Sequence, residues 1–122
     1  MTTEPCILLI EDERFIRESL AEFLRDEGYQ VIEAGSGEEA MRFIATRPFT
    51  HFIVDIRLTG IDGIQTIAGI KQRNPKARVL VFTGSLEFQI SDDLARLGLC
   101  REHIVYKPIH DFSLLLDKLK KL

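Results

Sequence analysis

Three carboxylates, a hydroxyl and an ammonium follow short apolar runs in this chain. Glu11 and Asp12 come directly after Cys6–Ile10, and Asp55 lies at the end of the run His51–Ile56. Thr83 follows Arg78–Phe82, with Ser85 beyond it, and Lys107 follows His103–Tyr106. Acids brought together repel, by about 4 kcal/mol for two unit charges ~4 Å apart at an effective dielectric of 20. A hard divalent cation relieves that repulsion. One to three carboxylates with carbonyls and waters suit Mg²⁺ (or Mn²⁺), which leaves positions open for phosphate oxygens. Lys107 adds a mobile positive charge and Thr83 a hydrogen-bond donor. Together these parts fit phosphoryl transfer, in which cations neutralise developing charge while a carboxylate attacks in line. The product of such an attack by Asp is an acyl phosphate.

Convergence of these groups depends on the elements that carry them. The runs Cys6–Ile10, Tyr29–Ala34, His51–Ile56, Arg78–Phe82 and His103–Tyr106 are brief, apolar and bounded by polar residues or Gly and Pro, as strands buried on both faces are. Helix-period segments lie between them. Ile16, Leu20, Phe23 and Leu24 form a stripe stopped by Gly28. Ser36 to Glu39 reads as a capping box before Ala40, Met41 and Ile44. Ile64, Ile67 and Ala68 repeat the stripe until Asn74-Pro75. A thin helix is expected from Glu87 to Leu97, and a last one over Asp111–Leu122. This alternation predicts an α/β domain with a doubly wound, five-stranded parallel sheet in order 2-1-3-4-5 and five helices. Sites in such sheets lie at the carboxyl ends of the strands, where strand order reverses. The polar residues above occupy those ends.

Composition narrows the function classes. The chain has 122 residues, 45% hydrophobic and 29% charged, with a formal net charge of −3. One domain, 1–122, is expected, with little room for an attached output module. The balanced charge gives no basis for unaided nucleic-acid binding. No targeting start or membrane-length apolar run is seen, which points to the cytoplasm. Cys6 and Cys100 lack metal spacing and are expected to be buried, reduced thiols. His51, His103 and His110 likewise lack metal spacing, and Lys118, Lys120 and Lys121 read as a solvated helix face.

Ile10-Glu11-Asp12, Val54-Asp55 with Ile61-Asp62-Gly63, Phe82-Thr83-Gly84 and Tyr106-Lys107-Pro108 together resemble the receiver domain of two-component response regulators, a flavodoxin-like fold. The resemblance runs from Cys6 to Leu122 with every motif in order. It implies that Asp55 accepts a phosphoryl group from a histidine kinase or phosphotransfer protein. Glu11, Asp12, Asp55 and the backbone carbonyl of Arg57 would hold the metal. Lys107 would pair with Asp55 at rest and with phosphoryl oxygens afterwards, Thr83 would swing toward them, and Gly84 would keep the approach clear. A cis bond is implied before Pro108. The output would be a downstream protein or a second copy, bound through the fourth helix, fifth strand and fifth helix. That makes the chain a signalling receiver whose only chemistry is its own phosphorylation and dephosphorylation.

Several positions depart from the pattern. Receivers usually carry an aromatic three residues before the Lys, and here that residue is Ile104. By strand parity Tyr106 shares its face and is the candidate replacement. Residues 58–60 read Leu-Thr-Gly where many receivers have Met-Pro, and the stretch Gly98–Glu102 is long. The missing aromatic favours a pseudo-receiver that switches without phosphate; the intact acid–Thr–Lys set opposes it. A flavin binder is disfavoured because Glu11 and Asp12 would repel a phosphate after the first strand. An aspartate phosphatase would want a second Asp at position 57, which is Arg.

Overall fold

The computed structural model of the chain describes residues 5–57, 62–84, 90, 92–107 and 112–122. Within them run β1 (Cys6–Ile10), α1 (Arg14–Asp26), β2 (Gln30–Ala34), α2 (Gly37–Thr46), β3 (His51–Asp55), α3 (Gly63–Arg73), β4 (Arg78–Thr83), α4 (Asp92–Arg96), a 3-10 turn (Arg101–His103), β5 (Ile104–Tyr106) and α5 (Ser113–Lys120). Every strand pairing is parallel, and the order is β2-β1-β3-β4-β5, as expected.

Strand parity sorts the core into two layers. Leu8, Ile10, Phe52, Val54, Val79, Val81 and Ile104 face Ala40, Ile67, Ile70 and Leu94 from α2, α3 and α4. Ile7, Leu9, Ile53, Leu80, Phe82 and Val105 face Leu20, Ala21, Leu24, Leu115, Leu116 and Leu119 from α1 and α5. Ile7 to Ile10 are fully buried, so β1 is covered on both faces. Each such side chain contributes about 1.5–3 kcal/mol by leaving water. That burial gives the strand ends a fixed base.

Helix ends refine the expected signals. Ser36 accepts from the Glu39 N–H (3.1 Å), but the Glu39 carboxylate reaches back to the Gly35 N–H (3.2 Å), one residue upstream of a reciprocal box. Asp62 and Gln65 make the full capping box at α3, with Gln65 N–H donating to Asp62 and Asp62 N–H to Gln65. α5 is shorter than expected, and α4 covers only the end of the expected thin helix, whose start at Glu87 lies outside the described residues. Ser85, residues 58–60, Ile61, Pro108 and His110 also lie outside them.

Three side-chain expectations need correction. Cys100 is exposed and Cys6 only partly buried, though both are free thiols. Cys100 opens the 3-10 turn, where its N–H donates to His103 Nδ1 at 2.9 Å and its sulfur lies 3.3 Å from the same nitrogen, so the turn's own bonds hold this residue at the surface. Lys118 is not simply solvated: its ammonium donates to the Ile104 carbonyl of β5 at 3.0 Å.

Candidate functional site

β1 and β3 are adjacent, pairing Ile10 with Val54, so the residues just past them share one edge. Ligand oxygens of Glu11, Asp12 and Asp55 lie within 4.8 Å of one another. Glu11 and Asp55 are buried, at 1% and 4% exposure, while Asp12 is half-buried. Asp55 is steadied by the Arg57 N–H, which donates to its Oδ1 at 3.0 Å. Gly63 fixes the same strand end from the other side. A Cβ there would fall 2.4 Å from the Asp55 carbonyl oxygen, so only glycine lets α3 start this close. The Gly63 N–H donates to the Ile56 carbonyl at 3.2 Å.

Lys107 supplies the positive charge. Its ammonium donates to Glu11 Oε1 and, at 3.3 Å, to Asp55 Oδ2, and lies 5.0 Å from the centre of the Phe82 ring. Its N–H donates to the Thr83 carbonyl at 2.7 Å, which ties the ends of β4 and β5 together. Burial draws the Lys107 ammonium down, but Glu11 and then Asp55 outweigh it and hold its pKa above the ordinary value. The Glu11 carboxyl moves up, to about 8, because burial and the neighbouring Asp55 outweigh the pull of Lys107.

Glu11 Oε2 is buried and, among the described residues, has no hydrogen-bond partner. A buried carboxylate oxygen left so is costly. With two further carboxylates beside it, the donor set is hard, anionic and oxygen-rich, the kind that suits Mg²⁺ or Mn²⁺. The site residues therefore fit a divalent cation.

The family model of the response regulator receiver domain matches residues 7–120. The chain belongs to that family. It is 38% identical over 96 residues to the transcriptional activator protein ExaE of Pseudomonas putida, covering 77% of this chain and 45% of that protein. To the response regulator GtcR of Aneurinibacillus migulanus it is 35% identical over 104 residues, covering 85% and 42%. The chain thus spans less than half the length of these curated relatives. In structure it is similar to the response regulator TrrA of Thermotoga maritima in complex with Mg(2+)-BeF, with TM-score 0.84, 31% identity and coverage of 96% and 97%. TrrA in complex with the histidine kinase ThkA gives TM-score 0.82 at 29% identity, again covering 96% and 97%. The chain is accordingly a receiver domain of two-component signal transduction, with the receiver's five-stranded fold.

In this receiver Thr83 is fully buried at the end of β4, and among the described residues a Cβ on Gly84 would meet only Lys107 Cδ, at 3.9 Å. Ile104 is buried at 3% and Tyr106 is 39% exposed, so the two positions of equal parity differ sharply in depth. No described helix is long and apolar enough to cross a membrane. Sequence reasoning missed the close bond between Lys107 and Glu11. Adjacent acids do not reveal which of them turns inward; the extra buried length of Glu is visible only once β1 and β5 are set in space.

Proposed function

We propose that this receiver takes a phosphoryl group onto Asp55 from a histidine kinase or phosphotransfer protein, in the cytoplasm, and passes the change to its output surface. The observation that carries this reading is the cluster of Glu11, Asp12 and Asp55, the first and last buried and bonded to Lys107, with Glu11 Oε2 left without a hydrogen-bond partner among the described residues. A cation held by Glu11, Asp12, Asp55 and the Arg57 carbonyl would supply charge neutralisation for the incoming phosphoryl oxygens. An Asp55 carboxylate oxygen attacks phosphorus, the P–N bond to the donor imidazole breaks, and that nitrogen leaves with the electron pair and takes a proton. Lys107 then moves its hydrogen bonds from Asp55 to the phosphoryl group, and Thr83 donates its hydroxyl to it. The Thr83 carbonyl bond to Lys107 N–H couples these movements to β5. A two-state shift of β4, α4 and β5 would carry the signal. Downstream proteins or a second copy would read the face formed by α4, β5 and α5, where Tyr106 and Leu114 are exposed.

Supporting this reading are the family membership, the Mg(2+)-BeF complex of TrrA and its complex with a kinase. The pseudo-receiver reading draws on a single observation, the buried aliphatic Ile104. Acetyl phosphate with Mg²⁺ separates the two. Intact mass should rise by one phosphoryl group, and Asp55→Asn should block the gain. No gain in the wild type, or the same gain in Asp55→Asn, overturns the assignment.

A further inference from the structure

Glu11 and Asp12 are neighbours in sequence, yet both carboxylates reach one cluster. In a regular strand successive side chains point to opposite faces. The chain must therefore turn at the peptide that joins them, and something must hold that turn. The helix cap does not: Glu13, the N-cap of α1, makes no side-chain capping bond. The Glu11 N–H is tied to the Ala34 carbonyl of β2 at 3.0 Å, and the Glu11 carbonyl accepts from Arg17 Nη1 at 3.0 Å. Arg17 is itself held. Its Nε donates to Glu33 Oε1 at 3.3 Å, with side chains only 18% and 24% exposed. Glu33 Oε2 accepts from Arg25 Nη2 at 3.3 Å, and Arg25 Nη2 also donates to the Val31 carbonyl at 2.9 Å.

We infer that Arg17 is a positioning residue for the acidic pair, acting through the Glu11–Asp12 peptide; this rests on the metal reading above. The guanidinium fixes the plane of that peptide, and rotation of the plane would swing the Asp12 carboxylate away from Glu11 and Asp55. Glu33 balances the charge of Arg17, so its contribution is alignment, and the fork of separate Nε and Nη1 donors makes the bridge from β2 to the carbonyl. Residues behind a metal's ligands commonly set its affinity in this way.

The test titrates Mg²⁺ alone into the full chain by calorimetry and reads the metal-free Tm of each variant. Arg17→Met should weaken Mg²⁺ binding about tenfold. Arg17→Lys should recover part of that loss, since a single nitrogen must stand in for the separate Nε and Nη1 that reach Glu33 and the Glu11 carbonyl. A purely structural role would lower the metal-free Tm and leave the Kd for Mg²⁺ at the wild-type value, which overturns the inference. If Arg17→Met does not fold, Glu33→Gln, which removes the ion pair behind Arg17, should still raise the Kd, and an unchanged Kd there overturns it equally. A wild-type chain that takes up no Mg²⁺ sinks the metal reading and the inference with it. Uptake by the wild type with equal Kd in the variants sinks the inference alone.

Discussion

β1 pairs along its whole length with β2 on one side and from Ile7 to Ile10 with β3 on the other, whereas β5 is three residues long and, among the described residues, pairs with β4 alone. The first carries Glu11 and Asp12 at its end; the second carries Lys107. β1 is fully buried from Ile7 to Ile10, while β5 ends on an exposed Tyr106. Among the described residues α1 beside β1 has thirteen and α4 beside β5 has five. The acids thus stand on the firm side of the sheet and the ammonium on the lightly built side. On the proposed function, chemistry that needs fixed oxygens would be served by the first, and a response that needs movement by the second.

The largest expected effect tests that difference in the core. Leu9→Ala in β1 should cost about 4–5 kcal/mol in urea unfolding, near the top of the range for such truncations, because neighbours held on both sides cannot collapse into the space. Ile104→Ala in β5 should cost nearer 2 kcal/mol, about the bottom of that range. Equal losses would break the comparison. Next comes the bridge between the two sides. Lys107→Met leaves Glu11 and Asp55 facing each other and should lower stability by about 1–3 kcal/mol near neutral pH. Added Mg²⁺ should then raise Tm more in this variant than in the wild type; a smaller rise would mean that the metal needs Lys107.

The pH effect is smaller and has a definite sign. The folded-state pKa of Glu11, about 8, lies above its ordinary 4.5, so the folded metal-free chain holds a proton that the unfolded chain has lost. For this group stability is therefore full below the ordinary value and declines as pH rises through about 8. On the proposed metal reading Mg²⁺ would displace that proton, so its affinity should climb from about pH 6 to about pH 8 and then level off. A flat profile in a calorimetric titration would contradict the raised pKa.

Much of this was readable in the residues. Short runs such as Cys6–Ile10 and Arg78–Phe82 carry apolar side chains on both parities, which only a sheet covered on both faces can absorb. Their polar followers then had to share an edge. Boundaries were less legible at β5 and α5, where short elements end through local hydrogen bonds rather than through pattern. The capping pair Asp62 and Gln65 lay in plain sequence, overshadowed by the Ile61-Asp62-Gly63 motif that contains its first member. Arg17 was not legible at all, because its bond goes to a backbone carbonyl, and side-chain identity says nothing about which carbonyls lie free. The depth of Glu11 and the exposure of Cys100 were hidden for the same reason: both follow from where the backbone turns.

Hydrogen exchange with and without acetyl phosphate and Mg²⁺ tests the division of labour most directly, with Asp55→Asn as control. The account predicts that phosphorylation changes protection in β4, α4 and β5 while β1 and β2 stay as they were, and that Asp55→Asn shows no phosphodonor-dependent change. Changes centred on β1 and β2, or changes that persist in Asp55→Asn, would contradict it.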